Sequence, residues 1–365
     1  MKGQKGEQNK LLTGGDSLMA YEYQETQYCF SAINSSCVKE KRSSYEYYIM
    51  YVFFSLLSAW TVFLNLLVII SISHFKKLHT PTNMIILSLA VADMLMGLIV
   101  MPVDAIKLIE TCWYFGESLC DLFLTIMGLV LSTSLGNLVL IAVDRYVAVC
   151  HPLVYPLKIT MTKMLIIVSC CWLFSSAYNI TIVKSTSQRT DGCYGECNAI
   201  LTYEWRATDL IFSFLLPCTI IITLHLRIFY VVHQQVKVIN SQMKRGKSVM
   251  EGSVKRKSES KAALTLGIIV AIHLLCWIPY YILTLTDSIA IPPTVLYCLI
   301  WVLYINSCLN PILYAFFYPW FRKSFKHILT LKIFQLASSH VNIFTKKPAM
   351  PLEDQDTQYG FPVIH

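Results

Sequence analysis

Seven stretches of the chain are almost wholly apolar, at about 47 to 73, 82 to 106, 119 to 148, 163 to 184, 205 to 232, 262 to 286 and 294 to 317. Each is long enough to cross a hydrocarbon core of roughly 30 Å as a helix. Within the third, Arg145 lies 25 residues after Cys120. At 1.5 Å per residue this stretch spans about 38 Å and crosses with some tilt. Ser132, Thr133, Ser134, Gly136 and Asn137 interrupt its apolar run, so it packs against other helices and sits at the centre of a bundle. Past the seventh stretch, Trp320, Phe321, Phe325, Ile328 and Leu329 alternate with Arg322, Lys323, Lys326 and His327, the pattern of a helix lying along a membrane surface. The pattern therefore predicts an all-α protein: a seven-transmembrane helix bundle with a short amphipathic helix after the seventh span. Residues 1–46 form an N-terminal tail, 47–335 the membrane domain, and 336–365 a second tail expected to be disordered.

Composition agrees, with 55% hydrophobic and 14% charged residues and a mean hydropathy of +0.53. The net charge of +8 raises the question of nucleic acid. The basic residues instead gather on one side of the spans. Lys76 and Lys77 follow span one, Lys158 and Lys163 follow span three, Arg322, Lys323 and Lys326 follow span seven, and the connection 233–261 sets eight lysines and arginines against Glu251 and Glu259. By the positive-inside rule that side is cytoplasmic, the N-terminus is outside, and a nucleic-acid role is discarded. The tail has no apolar core to serve as a cleaved signal, so span one is expected to act as an uncleaved anchor in the plasma membrane. Asn34-Ser35-Ser36 is a glycosylation sequon on the outer side. Of the 13 cysteines, those inside apolar runs have no metal spacing and read as packing residues. The loop cysteines face an oxidising exterior that favours disulfides, although their connectivity is not readable from spacing.

Polar signatures recur in successive spans: Asn65 in the first, Leu89-Ala90-Val91-Ala92-Asp93 in the second, Asp144-Arg145-Tyr146 in the third, Trp172 in the fourth, Pro217 in the fifth, Cys276-Trp277-Ile278-Pro279 in the sixth and Asn310-Pro311-Ile312-Leu313-Tyr314 in the seventh. Together they resemble the rhodopsin-like class of G-protein-coupled receptors. No inverted repeat is evident, which disfavours a transporter. The run from Asn306 to Phe321, the loop from His74 to Asn83, and Cys112-Trp113-Tyr114-Phe115-Gly116 narrow the resemblance to the trace-amine-associated receptors, including fish members of olfactory type.

Some roles follow from physics and others from the resemblance. A mid-membrane carboxylate such as Asp93 costs about 2.5 to 3.5 kcal/mol and needs partners. Asn65, Ser134, Asn306, Ser307 and Asn310 are candidates, and the resemblance implies that such a network holds a sodium ion; the alternative is a purely structural polar cluster. The resemblance likewise makes Asp144, Arg145, Tyr146, Glu259 and Tyr314 a G-protein switch, with Arg145 pairing Asp144 and Glu259. It implies the disulfides Cys120–Cys193 and Cys37–Cys197, leaving Cys29 and Cys112 unassigned. His225 and His273 stand where relatives commonly have Tyr and Phe, and read as neutral core residues rather than proton sensors.

Aminergic relatives hold the ligand ammonium with an aspartate seven residues after the span-three cysteine, where this chain has Met127. Asp209, eight residues before Pro217 in an otherwise apolar span, is the replacement acid. Asp104, Asp121 and Asp287 lie nearer the membrane surface, where a solvated charge is the simpler reading. Trp277, Tyr280, Tyr281, Trp301 and Tyr304 fall at pocket positions, where aromatic faces attract a cation or simply fill the core. The expectation is a non-enzymatic, chemosensory receptor for small amines. It acts through a heterotrimeric G protein of stimulatory or olfactory type and cyclic AMP, with arrestin and receptor kinases as further partners, olfactory cilia as a location, and no cofactor beyond the sodium ion. A non-amine ligand is the alternative that the loss of the span-three acid opens.

Overall fold

The computed structural model describes residues 27–186, 193–198, 202–244, 267–268, 270–282, 293–317, 319–335 and 338–340. Helix α1 spans Ser44–His74 and opens on a capping box, in which the Ser43 side chain accepts from the Glu46 amide and Glu46 accepts from the Ser43 amide. Such reciprocal capping satisfies amides that have no partner within the helix. Helix α2, Pro81–Glu110, starts from a Thr80 cap with Pro81 at its first position. Its middle is a π segment, Met96–Val100. Helix α3 is Glu117–Cys150 and α4 is Met161–Thr186. Helix α5 consists of Tyr203–Leu210, a second π segment at Ile211–Leu215, and Leu216–Lys244. It runs well past the end expected at 232, because the basic connection that follows contains no residue that breaks a helix before Gly246. Helix α6 is described over Val270–Ile282, α7 is Pro293–Phe317, and α8, Pro319–Leu329, is the amphipathic helix. Six of these helices are long and apolar enough to cross a membrane, and α6 is a shorter apolar helix. The protein is a multi-pass membrane bundle.

Helix α3 packs against α2, α4 and α5, and α1 packs against α2, α7 and α8. Lipid tails are as apolar as leucine, so helices in a membrane associate through close packing and polar contacts. Both occur here. A methyl group at Gly128 would overlap the Asn179 side chain, and one at Gly136 would press on Cys171 Sγ, so glycine lets α3 and α4 approach closely. Trp172 Nε1 donates to Ser88 Oγ at 3.0 Å, tying α4 to α2. Two apolar clusters fill the interior. One holds Leu89, Leu135, Leu138, Ile221 and Tyr314; the other holds Met96, Val130, Trp277, Trp301 and Tyr304. Asp93 lies in α2 between them, within a polar layer.

The tail is not a free appendage over its described part. Disulfides join Cys29 to Cys112 and Cys37 to Cys193, and a third joins Cys120, at the top of α3, to Cys197. This corrects the expected pairs Cys120–Cys193 and Cys37–Cys197. The cause is register. Cys37 N donates to Tyr194 O and Tyr194 N to Ser35 O, so the tail runs beside residues 193–194, and Trp113 N fixes Gly195 O at 2.7 Å. That brings Cys193 to the tail and leaves Cys197, 1% exposed, to reach Cys120. Lys39 Nζ meets Glu110 Oε2 at 2.9 Å, and this hydrogen bond holds the ammonium above its usual pKa. Asn34 occupies an exposed turn of this cap. Peptide mapping without reduction is expected to recover fragments linked 29–112, 37–193 and 120–197. A fragment joining Cys120 to Cys193 would overturn the assignment.

Candidate functional site

Asp209 stands two residues before the π segment of α5 and is half-buried. Tyr178 of α4 donates to Asp209 Oδ1 at 3.2 Å, and the Tyr281 hydroxyl of α6 lies 3.5 Å from Oδ2. Ser213, one turn below, donates to the Tyr178 hydroxyl at 3.2 Å. The carboxylate is thus fixed by neutral donors from two neighbouring helices, and none of its ion pairs is with a described lysine or arginine. Neutral donors leave the charge of an ionised carboxylate uncompensated. Across the bundle, the Tyr304 hydroxyl donates to Met127 Sδ at 3.3 Å. Trp301 packs on Tyr304 with ring centres 5.2 Å apart and stacks on Phe54 at 3.9 Å. Tyr280 packs edge-on to Tyr281 at 5.3 Å. The aromatic positions proposed from sequence therefore line one region, with Asp209 on its α5 side and Met127 and Tyr304 opposite. Asp121 is half-buried at the start of α3, and Asp287 lies outside the described residues.

His273, Trp277 and Tyr281 recur at intervals of four, which places them on one face of α6. Trp277 stacks on Tyr281 at 5.9 Å and on His273 at 5.3 Å. Below them, Asn306 of α7 and His273 Nδ1 are 2.6 Å apart. A ladder of rings thus runs from the Asp209 region into the polar layer. There Asn310 Nδ2 donates to Asp93 Oδ2 at 2.8 Å and Ser134 Oγ to Oδ1 at 3.3 Å. Asn65 Nδ2 donates to the Ser307 and Thr61 carbonyls at 3.0 Å each. Asn306 turns to His273 instead of Asp93. Asn65 Oδ1 is buried with no hydrogen-bond partner, as is His273 Nε2. Both nitrogens of His225 are buried and unpartnered too.

At the basic end, Asp144 is 2% exposed and at the centre of a network. Arg145 Nε donates to its Oδ2 at 2.9 Å, Thr82 Oγ1 donates to the same oxygen at 2.8 Å, and the Tyr155 hydroxyl donates to Oδ1 at 2.9 Å. Arg145 Nη2 reaches Asp144, Thr82 and Tyr155. Burial pushes the Tyr155 hydroxyl above its ordinary pKa, so it remains a donor. Tyr146 packs beside Val149 and Ile228, and Tyr314 is 1% exposed against Phe321 of α8. Glu259 lies outside the described residues.

Sequence reading did not single out Tyr178, Thr82 or Tyr155. Tyr155 sits in a short helical turn after α3, and nothing in its neighbourhood marks it. It also set Asp104 aside as a surface charge, whereas Asp104 is 5% exposed. One signal was present: Asp104 is eleven residues from Asp93, about three helical turns, and so on the inward face.

The model of the family described as 7 transmembrane receptor (rhodopsin family) matches residues 64–314. Trace amine-associated receptor 13c of Danio rerio is 39% identical over 347 residues, covering 90% of this chain and 99% of that receptor. Trace amine-associated receptor 9 of Mus musculus is 39% identical over 333 residues, 87% of this chain and 95% of its own. Trace amine-associated receptor 6 of Homo sapiens is 38% identical over 334 residues, with 88% and 96% covered. A rhodopsin-family match across most of the bundle, and relatives of this similarity along nearly their whole length, agree with the polar signatures in every span: the chain belongs to the trace amine-associated receptors of the rhodopsin family of seven-transmembrane receptors.

Proposed function

We propose that this G-protein-coupled receptor is switched by a small amine whose ammonium pairs with Asp209, with the N-terminal cap outside the cell and the basic end facing the cytoplasm. The observation that carries this reading is the Asp209 carboxylate, held by Tyr178 and Tyr281 inside an apolar span and ringed by aromatic side chains. A half-buried carboxylate in an apolar span favours a cation, and aromatic faces add about 0.5 to 2 kcal/mol each to its binding. Met127 offers no charge, so the amine is reversed toward α5. Drawing Tyr281 onto the ligand would tilt the ring ladder, move α6 at Pro279, and break the His273–Asn306 contact. That displacement is what would release the Asp144–Arg145 lock to a G protein of stimulatory or olfactory type and raise cyclic AMP. The plasma membrane, and olfactory cilia within it, is the location this role requires, with arrestin and receptor kinases ending the signal.

The polar layer supports a sodium site in the resting receptor. Asp93 would supply the charge, and Ser134 Oγ and the unpartnered Asn65 Oδ1 would supply neutral oxygens, a donor set suited to a hard cation. Replacing Asp93 with Asn is expected to remove any effect of sodium chloride, compared with a larger organic cation at equal ionic strength, on agonist affinity.

Losing a buried charge partner costs several kcal/mol, so Asp209→Ala is expected to raise the activating amine concentration by about a hundredfold or more. Asp209→Glu should cost less. Unchanged potency in a cyclic-AMP assay at matched surface expression would refute the orientation. Arg145→Ala is expected to abolish signalling while amine binding to membranes persists; signalling retained at normal expression would show that Arg145 is not the switch.

A further inference from the structure

The Asp209 carboxylate is held from two sides that differ in kind. On the outer side Tyr178 of α4 donates to Oδ1 at 3.2 Å and itself accepts from Ser213 at 3.2 Å. Accepting from Ser213 leaves the single hydroxyl proton of Tyr178 for the carboxylate. The Tyr178 ring stacks on Phe174 at 6.3 Å, and Phe174 is 70% exposed, so this pair of hydroxyls lies toward the lipid-facing surface of the bundle. On the inner side the Tyr281 hydroxyl of α6 is 3.5 Å from Oδ2, at the long limit of a hydrogen bond. The Tyr281 ring is buried, stacked on Phe214 at 4.3 Å and on Trp277 at 5.9 Å, with Tyr280 against its edge. Consecutive residues of the π segment serve the two sides, since Ser213 turns to Tyr178 and Phe214 to Tyr281. Such segments occur frequently at functional sites.

The two oxygens are therefore not equivalent. Oδ1 is closed by a hydroxyl outside the aromatic region, and displacing that hydroxyl would also undo the Ser213 bond. Oδ2 faces the aromatic region, and its donor is distant and neutral. A charged donor makes a shorter hydrogen bond to a carboxylate, roughly twice as strong as a neutral one. We propose that Tyr178 is the positioning residue of the amine site, holding Asp209 so that Oδ2 accepts the ammonium, and that the arriving ammonium displaces Tyr281 from Oδ2 and takes the Tyr281 oxygen as a further acceptor. A hydroxyl both donates and accepts, so Tyr281 changes from donor to acceptor as the ligand enters. Its ring, packed between Phe214 and Trp277, carries that change into α6. Affinity and efficacy then reside in different tyrosines: Tyr178 sets how well the acid is presented, and Tyr281 sets what binding does to α6. The inference rests on the reading of Asp209 as the ammonium partner and adds how its two oxygens are divided between fold and ligand.

The test uses cells expressing the full chain with a cyclic-AMP reporter, read for half-maximal concentration and for maximal response at matched surface expression. Purified receptor in a thermal-shift titration reports amine binding without a G protein. The probes are linear primary alkylamines. Tyr178→Phe keeps the ring and removes the hydroxyl, and is expected to raise the amine concentration needed in both assays by about tenfold while the maximal response is retained. Ser213→Ala should shift both in the same direction by about threefold, and should add nothing in the Tyr178→Phe background, because Ser213 reaches the carboxylate through Tyr178. Tyr281→Phe should do the reverse, lowering the maximal response while amine binding stays within about threefold of wild type. Unchanged potency in Tyr178→Phe, a further loss on adding Ser213→Ala to it, or a loss of binding in Tyr281→Phe as large as in Tyr178→Phe would overturn the proposal. Should Tyr178→Phe not reach the surface, unchanged potency in Ser213→Ala alone would overturn it. These outcomes leave the amine reading standing wherever Asp209→Ala has lost its potency; a wild-type receptor that no amine activates or stabilises would instead refute that reading.

Discussion

Inside a bilayer no water is available to complete a polar group, and the organisation of this receptor follows from that restriction. The backbone meets it by forming helices, whose hydrogen bonds close within each span. The side chains meet it by turning inward and finding one another. Asp93, 1% exposed, accepts from Ser134 and Asn310; Asp144, nearly as deep, accepts from Thr82, Arg145 and Tyr155. Each carboxylate joins helices that are far apart in sequence, so the polar residues that are hardest to place in lipid also specify how the spans are arranged. The apolar clusters above and below the Asp93 layer fill the remaining volume, and glycines of α3 allow the central helix to approach α4.

The two acids on the tail side obey the same restriction differently. Asp209 is completed by neutral hydroxyls and keeps its charge uncompensated by any described basic side chain. Asp104 keeps an oxygen with no donor at all. Asp93 and Asp144 have their partners built in, whereas Asp209 has only neutral donors among the described residues. The disulfide cap bears on the same region, because Cys120 fixes the top of α3 to Cys197 and the tail is fixed over the adjoining loop.

Between the Asp209 region and the basic end, contact is continuous along one face of α6. Tyr281, Trp277 and His273 stack in order, and His273 meets Asn306 on α7. Packed rings move as a unit more readily than they compress, since interiors are close-packed, so a displacement at Tyr281 has a defined route to the polar layer. The histidine is what makes the lower end of this route a hydrogen bond; a phenylalanine there would offer only a ring face.

The sequence by itself determined the seven spans, the amphipathic α8 and the membership of the family, because hydropathy and the positions of buried polar residues are local properties that survive without coordinates. It also placed Asp93, Arg145 and Trp277 in their spans, since an ionisable or indole group in an apolar run stands out against its neighbours. Other features depended on how separate segments meet. Six loop cysteines were visible, but which pairs form was decided by the backbone register of the tail beside Tyr194, a contact between residues more than a hundred positions apart. Asp104 read as a surface charge because it lies toward the end of its span, while its burial is set by the neighbours that α1 and α7 supply. Tyr178, Thr82 and Tyr155 have no local mark, and their contacts exist only where separate segments converge on Asp209 or Asp144.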